Sequence, residues 1–288
     1  MFQDIKENDN YKNLISGNWI GTKDSIKIKC PYKNLILGSI PKMSTEDIDK
    51  VISSAKEAQK RWSSLGVNER SKILHKAASL LEDNCDGISK ILMMEIGKDI
   101  NSSISEVKRT ADFIRFTADA GKNLEGETIS ADNFPGFKKN KVSFAQRVPL
   151  GVVLAISPFN YPINLSASKI APALMGGNSV ILKPPTQGAI SALHLVKIFQ
   201  EAGIPDGVIN TVTGKSSEIG DYIVTHPDIN FINFTGSSQV GRHIAKVAEM
   251  VPMMMELGGK DAAIVLSDAD LSDAANEIVS GAFSYSGQ

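Results

Sequence analysis

The stretch from residue 231 to residue 260, FINFTGSSQVGRHIAKVAEMVPMMMELGGK, constrains the fold more than any other part of the sequence. Its first residues, Phe231 to Phe234, are typical of a β-strand, and Gly236 with Ser237 interrupts that pattern. Apolar residues return at helical spacing from Val240 onwards. The stretch therefore predicts a strand, a tight glycine turn and a helix, followed by a second strand.

The turn in this stretch is a predicted anion site. Gly236, Ser237 and Ser238 fall at the N-terminus of the predicted helix, where free backbone N–H groups and the helix dipole favour a pyrophosphate. Further on, Glu256 stands between three methionines and a Leu-Gly-Gly triplet. A carboxylate is costly to bury among such residues unless it is paired or functional. The pattern thus predicts a cofactor cradle beside a buried base.

Length, charge and cysteine content exclude several classes of protein. The 288 residues suffice for one large domain or two small ones, and a net charge of −1 gives no electrostatic basis for nucleic-acid binding. No apolar run is long enough to span a membrane, and the polar N-terminus is unlike a signal peptide. Cys30 and Cys85 suggest neither a disulfide framework nor a metal site. We therefore expect a cytoplasmic α/β protein.

Residues 1–128 predict short strands followed by a helical layer. Ser44 precedes an acidic first turn and an apolar face at helical spacing, so it predicts the start of the first helix. Gly97 is predicted to end a later helix, and Asn101 or Ser102 to cap a long one after it. The predicted strands lie at 19–20, 26–28 and 35–37, and the two middle helices at 68–81 and 88–96.

Residues 129–150 interrupt the helical pattern. Pro135 and Gly136 mark a turn, and the alternation from Lys141 to Val148 is typical of a strand. The segment predicts a β-hairpin, which is either a plain surface feature or an oligomerisation arm.

Strands and helices alternate across residues 151–260. Val152 to Ile156 is a continuous apolar run of the kind that forms a buried parallel strand. Because crossovers join such strands, the pattern predicts a doubly wound, mostly parallel, Rossmann-like sheet with helices on both faces. Ligands of such sheets bind beyond the carboxyl ends of the strands. The predicted strands are 152–156, 180–182, 208–212, 231–234 and 253–257, and the predicted helices are 163–175, 189–202, 218–225 and 240–250.

Polar residues follow each of these strands. Asn160, held between two prolines, could donate its amide to a developing oxyanion, or could simply stabilise a turn. Lys183 could reach a ribose or phosphate, or could be solvated. Gly214 begins a turn that leads to Asp221, and the next strand ends at the Gly236 turn. A single such turn is weak evidence, but all of these groups are predicted to meet at one sheet edge.

Four sequence blocks, SPFNYP, ILKPPTQG, NFTGSSQVG and MELGGKDAAIVLSDAD, resemble signatures of the aldehyde dehydrogenase superfamily. Within that superfamily they are most similar to the NADP-dependent subfamily that oxidises glyceraldehyde 3-phosphate to 3-phosphoglycerate. The resemblance implies that Asn160 donates to the oxyanion, that Glu256 activates water to hydrolyse a thioester, and that Lys183 binds the adenine ribose. The implied cofactor-binding residues are Ser157, Lys183, Thr186, Gly214, Asp221, Gly236, Ser237 and Leu257.

Cofactor and substrate preference depend on three further positions. NAD-preferring relatives often carry a Glu where this chain has Thr186, and that carboxylate would repel a 2′-phosphate. The resemblance therefore implies NADP. It also implies that Arg109 and Tyr161, together with Asn160, bind a small phosphorylated aldehyde. Arg109 lies off the apolar stripe of its helix and would otherwise be an ordinary solvated Arg.

The family's cysteine nucleophile follows a Gly-Gln dipeptide, and Ser286-Gly287-Gln288 matches that approach at the end of the sequence. Residues 261–288, with a strand at 262–266 and a helix from Leu271, are predicted to begin a catalytic domain. We therefore expect the chain alone to oxidise no aldehyde. Three alternatives stay open: part of a dimeric or tetrameric aldehyde dehydrogenase of this or another NAD(P)-dependent kind, a non-catalytic cofactor-binding fragment, or a fragment that pairs with an intact subunit.

Overall fold

The computed structural model of the chain describes residues 2–133, 135–136 and 141–284. The first half contains short strands and then a run of helices. These elements are β1 (Lys6–Glu7), β2 (Asn10–Tyr11), β3 (Asn13–Ile15), β4 (Asn18–Ile20), β5 (Ser25–Lys29), β6 (Ile36–Pro41), α1 (Thr45–Ser63), α2 (Val67–Asp83), α3 (Cys85–Ile96) and α4 (Ile100–Ala120).

The second half contains a hairpin and then alternating strands and helices. The hairpin consists of β7 (Glu127–Ser130) and β8 (Val142–Ala145). The alternating elements are β9 (Val152–Ile156), α5 (Asn164–Met175), β10 (Ser179–Lys183), α6 (Ala189–Ala202), β11 (Ile209–Thr211), α7 (Ser216–Val224), β12 (Phe231–Thr235), α8 (Ser238–Val247), β13 (Met253–Glu256) and α9 (Leu271–Ala282).

A parallel sheet with the order β11-β10-β9-β12-β13 forms the centre of the molecule. Successive side chains of a strand point to opposite faces, and both faces are covered. Leu182 packs into a core that contains residues of α5 and α6, whereas its neighbour Ile181 packs into a core with residues of α1 and α7. The doubly wound α/β fold is therefore confirmed. The strand order reverses at β9, so the gap between β9 and β12 is the topological switch point at which such sheets bind ligands.

Two of the three predicted helix caps in the N-terminal layer are observed, and α3 begins at Cys85, three residues before its predicted start. Ser44 caps α1 in a reciprocal capping box with Asp47, and Gly97 ends α3 in the left-handed conformation with φ of 73°. The prediction that Asn101 or Ser102 caps α4 is wrong. Asp99 does so, because its carboxylate reaches forward and accepts the N–H of Ser102 at 2.9 Å.

The segment before the Rossmann-like core forms the predicted hairpin, whereas only part of the segment after the core matches its prediction. β7 and β8 form the expected antiparallel hairpin, in which Val142 and Phe144 are exposed. The strand expected at 262–266 is wrong, because that apolar stretch has no strand partner among the described residues and stays irregular. α9 begins at Leu271 as predicted, capped by Asp270. No helix in the described part of the chain is long and apolar enough to cross a membrane.

Candidate active site

Two cavities open around the carboxyl ends of the parallel strands. The first, the α7–α8 cavity, has a volume of about 420 Å³ and lies beyond β9, β10 and β12 between helices α7 and α8. The second, the Tyr161 cavity, has a volume of about 290 Å³ and lies between α4 and the start of α5. The predicted site residues lie in or near these two cavities. Most are at the ends of strands or on the loops that follow them, whereas Arg109 and Asp221 are on helices α4 and α7.

Lys183 supplies the cation of the α7–α8 cavity. It is the last residue of β10 and is buried, and its Nζ donates a 2.9 Å hydrogen bond to the hydroxyl of Ser216 at the start of α7. Burial lowers the pKa of Lys183 to about 8, because desolvation disfavours the charged form. The ammonium is still mostly charged near pH 7. Lys183 thus places a positive charge in a cavity whose walls include Phe234 and Ile244, together with the carboxylates of Glu218 and Asp221.

The Gly236 turn has the predicted geometry. Ser237 caps α8, and its hydroxyl accepts a 3.3 Å hydrogen bond from the N–H of Val240. The N–H of Gly236 donates to the carbonyl of Glu256 at 3.0 Å, and a Cβ on Gly236 would collide with the Phe234 ring. Glycine is required here because the chain turns directly over that ring at the start of the helix.

Of the next three implied cofactor residues, one lines the α7–α8 cavity and two do not. Asp221 lines the α7–α8 cavity and pairs with Nε2 of His243 at 2.7 Å. Gly214 lies buried against Ile219, and Leu257 packs over Gly241 of α8.

Only Lys183 and Asp221 of the eight implied cofactor residues line the α7–α8 cavity, and Ser157 and Thr186 are among the six that do not. Ser157 is buried with its hydroxyl 2.9 Å from that of Ser166, so its side chain faces α5. Thr186 is exposed in the loop after β10, three residues beyond Lys183, and is not among the residues that line the α7–α8 cavity.

The Tyr161 cavity brings the implied substrate residues together. Arg109 of α4 and Tyr161 both line it, although they are 52 positions apart in the sequence. Asn160 precedes Tyr161, and its Oδ1 accepts the backbone N–H of Tyr161 at 3.1 Å. This bond fixes the amide plane and occupies its acceptor end. The NH2 end is therefore the part of Asn160 that can donate to a ligand.

Lys98 and Glu106 belong to this site, and the sequence interpretation missed both. The ammonium of Lys98 lies 2.6 Å from Oε2 of Glu106, and both side chains are almost fully buried. Glu106 also lines the Tyr161 cavity. A signal was present in the sequence, since Glu106 shares the inner face of α4 with Ser103 and Thr110, at spacings of three and four. An acid on a buried helix face needs a partner.

A second buried lysine, Lys169 of α5, was also missed. Its Nζ donates a 2.7 Å hydrogen bond to the hydroxyl of Thr235 at the end of β12. Burial lowers the pKa of Lys169 to about 8, and the charge of Glu256 opposes that shift. Lys169 therefore brings a positive charge from α5 to the strand ends.

The prediction that Glu256 is buried is wrong. Glu256 ends β13, which lies at the edge of the sheet in the described part of the chain, and its side chain is exposed. Burial along β13 alternates, with Met253 and Met255 half-buried and Met254 exposed. The apolar flanks of Glu256 indicated burial, but edge position and strand alternation decide it.

The chain is similar to known proteins in both sequence and structure. The model of the Aldehyde dehydrogenase family matches residues 19–288. The NADP-dependent glyceraldehyde-3-phosphate dehydrogenase of Streptococcus equinus is 54% identical over 278 residues, 96% of this chain and 58% of that protein. The protein of the same name from Triticum aestivum is 47% identical over 292 residues, 100% of this chain and 59% of that protein.

A solved structure shares the fold closely. It is the NADP-dependent glyceraldehyde-3-phosphate dehydrogenase of Bacillus halodurans C-125 complexed with NADP, with a TM-score of 0.95 and 49% identity. The match covers 96% of this chain and 59% of that chain. The chain thus spans less than two thirds of the length of the relatives that it matches.

Proposed function

Because the chain belongs to the aldehyde dehydrogenase family, we propose that the full-length protein carrying it oxidises glyceraldehyde 3-phosphate to 3-phosphoglycerate with NADP. The observation that carries this proposal is that Arg109 and Tyr161 line one cavity, next to Asn160. A guanidinium and a phenol can bind a phosphate while a rigid amide donates to the aldehyde oxygen. The names of the relatives from Streptococcus equinus and Triticum aestivum support the same substrate.

The residues around the α7–α8 cavity fit NADP. Lys183 provides a buried cation bonded to Ser216, the Gly236 turn opens the N-terminus of α8, and the cavity walls are apolar enough to hold an adenine. In the loop after Lys183, Thr186 carries no charge, whereas a carboxylate at that position would repel a 2′-phosphate. Bound NADP supplies the hydride acceptor. The complex of the Bacillus halodurans relative with NADP supports this cofactor.

The residues of this chain would serve two stages of the reaction. Asn160 would donate to the oxyanion that develops when a thiolate attacks the aldehyde. Glu256, at the end of β13, would then take a proton from the water that hydrolyses the acyl group. Cys30 and Cys85 are buried and line neither cavity, so we assign the thiolate to another part of the full-length protein.

The proposal is tested with the purified full-length protein and four substrate pairs: glyceraldehyde 3-phosphate or glyceraldehyde, each with NADP or NAD. We expect the highest kcat/KM for the phosphorylated aldehyde with NADP. Arg109→Met should lower kcat/KM for the phosphorylated aldehyde and leave that for glyceraldehyde nearly unchanged. Arg115→Met is the matched control, because Arg115 lies on the same helix but pairs with Glu82 and Asp112 outside the cavity. Equal kcat/KM for both aldehydes in the parent protein would refute the substrate assignment.

We further propose that the β7–β8 hairpin is an oligomerisation arm of a dimer or tetramer. The exposed Val142 and Phe144 support this, since apolar side chains on a protruding hairpin favour contact with another subunit. Sedimentation analysis of the full-length protein and of its Phe144→Lys variant tests the proposal. We expect the variant to form a smaller assembly, and the proposal fails if both proteins sediment as assemblies of the same mass. The cytoplasmic location stays a prediction.

A further inference from the structure

The Lys98–Glu106 ion pair is buried within the helical layer. Lys98 lies between α3 and α4, and Glu106 lies on α4; both side chains are almost completely buried. Removing two charges from water is unfavourable, and a well-packed apolar pair is often as stable as a buried ion pair. Stability alone is therefore a weak explanation for this pair, and its contacts with the site give a better one.

Lys98 holds two consecutive residues of the site. Its Nζ donates a 3.2 Å hydrogen bond to the backbone carbonyl of Asn160, and it lies 3.5 Å from the centroid of the Tyr161 ring. A cation this close to an aromatic face, away from water, restrains the ring. The same ammonium thus fixes the backbone that carries the oxyanion donor and the ring that faces the substrate cavity.

Glu106 holds the other end of the same segment. Its Oε1 accepts backbone N–H groups from Ile163 at 3.0 Å and from Asn164 at 3.1 Å, at the start of α5. These N–H groups would otherwise lack partners at the beginning of the helix. With Lys98 on Asn160 and Glu106 on residues 163 and 164, the segment 160–164 is fixed at both ends.

Charge adds a second consequence. Glu106 and Arg109 line the same cavity, so an unpaired Glu106 carboxylate would offset the charge of Arg109 and repel an anionic substrate. Lys98 neutralises Glu106 at 2.6 Å and leaves Arg109 as the effective charge.

From these contacts we propose that Lys98 and Glu106 are positioning residues that hold Asn160 and Tyr161 and keep the cavity receptive to a phosphorylated aldehyde. This inference rests on the proposed function. It concerns residues that act through Asn160 and Tyr161 and do not themselves react.

The test uses the full-length protein at pH 8 and the variants Lys98→Met, Glu106→Gln and the double variant. Lys98→Met should raise KM for glyceraldehyde 3-phosphate about tenfold more than KM for glyceraldehyde, roughly the effect of one unbalanced buried charge. The double variant removes both charges, so it should restore the ratio of the two KM values while kcat stays low. The Kd for NADP should not change, because Lys183 and the α7–α8 cavity lie elsewhere.

The matched control is Lys197→Met. Lys197 lies on α6, away from both cavities, and is also largely buried. Its ammonium forms ion pairs with Asp4 and Glu201. It should lower stability without changing the KM ratio. If Lys98→Met fails to fold, the double variant still tests the positioning role through its kcat, because it leaves no lone buried charge.

Coupling to Asn160 gives the second measurement. In an Asn160→Ala background, Lys98→Met should lower kcat little further, because the donor that it positions is already gone. Independent, multiplicative losses would overturn the positioning role, as would a double variant with parental kcat. If the parent protein itself shows no preference for the phosphorylated aldehyde, the proposed function fails. An unchanged KM ratio in Lys98→Met, with that preference intact in the parent, refutes the inference alone.

Discussion

The ammonium of Lys169 on α5 donates a 2.7 Å hydrogen bond to the hydroxyl of Thr235, the last residue of β12. This bond joins the helix that begins after Asn160 to the strand that precedes Gly236. The loops that carry the proposed oxyanion donor and the proposed cofactor turn are therefore connected through the sheet edge. Lys169 is buried at this connection, as Lys183 is in the neighbouring cavity.

Both lysines should make stability depend on alkaline pH. Burial lowers the pKa of each from 10.5 to about 8. Between those values the unfolded chain binds protons that the folded chain does not, so the free energy of unfolding rises as the pH rises from about 8 to 10.5. Each lysine contributes up to about 1.4 kcal/mol per pH unit. Denaturant unfolding at pH 8, 9 and 10 should show a shallower rise in Lys169→Met than in the parent; identical slopes would contradict the assignment.

Asn160 gives a sharper test of the oxyanion donor than truncation alone. Asn160→Asp keeps the oxygen that accepts the Tyr161 N–H but removes the NH2 donor. We therefore expect kcat of the full-length protein to fall by about 10²–10³, as much as in Asn160→Ala or more, since the new negative charge also opposes the oxyanion. Steady-state assays with glyceraldehyde 3-phosphate measure this. An Asn160→Asp enzyme with nearly parental kcat would make Asn160 a turn residue.

The parts of the fold that depend on local pattern could be predicted from sequence. β9 and α6 have the predicted bounds because a continuous apolar run and a periodic one each specify their own element. The strand at 262–266 was wrong because a strand needs a neighbour, which no local pattern supplies. Glu256 was misplaced for a related reason, since its exposure depends on the position of β13 in the sheet.

The candidate site divides in the same way. The positions of Asn160, Lys183 and Gly236 at the site could be predicted because each lies at or shortly after the end of a predicted strand. Lys98 and Glu106 come from another layer of the molecule, and only the packing of α4 on α5 brings them to the site. Sequence spacing indicates that Glu106 faces inward, but not what it meets there.

Thr186 tests the cofactor assignment. Thr186→Glu places a carboxylate in the loop that follows Lys183, where it would repel a 2′-phosphate and could accept from a 2′-hydroxyl. We expect the ratio of the Kd values for NADP and NAD to shift towards NAD by at least about tenfold, or ~1.4 kcal/mol. Thr186→Gln is the control of matched size without charge. The same ratio in Thr186→Glu and the parent would exclude Thr186 from cofactor choice.

Glu95 of α3 is a second buried carboxylate that caps a helix. It accepts the N–H groups of Gly188, Ile190 and Ser191 and the hydroxyl of Ser191, at the start of α6. Glu95→Ala leaves these donors unpaired in the interior and should lower the free energy of unfolding by about 3 kcal/mol. Ser191→Ala removes one bond and should cost about 1 kcal/mol. Urea unfolding measures both, and equal losses would contradict the capping role.

His194 should weaken the fold in acid. It is buried beside Phe2 and Tyr11, and its Nδ1 has no hydrogen-bond partner among the described residues. Burial lowers its pKa from 6.5 to about 3, so the folded chain keeps it neutral. Below pH 6.5 the unfolded chain takes up a proton that the folded chain does not, and stability falls as the pH drops towards 3. The loss approaches about 1.4 kcal/mol per pH unit. His194→Leu removes the titratable imidazole and replaces it with a side chain of similar volume. Urea unfolding at pH 7, 5.5 and 4.5 should show a steeper loss in the parent than in His194→Leu, and parallel losses in the two proteins would assign the acid sensitivity to other groups.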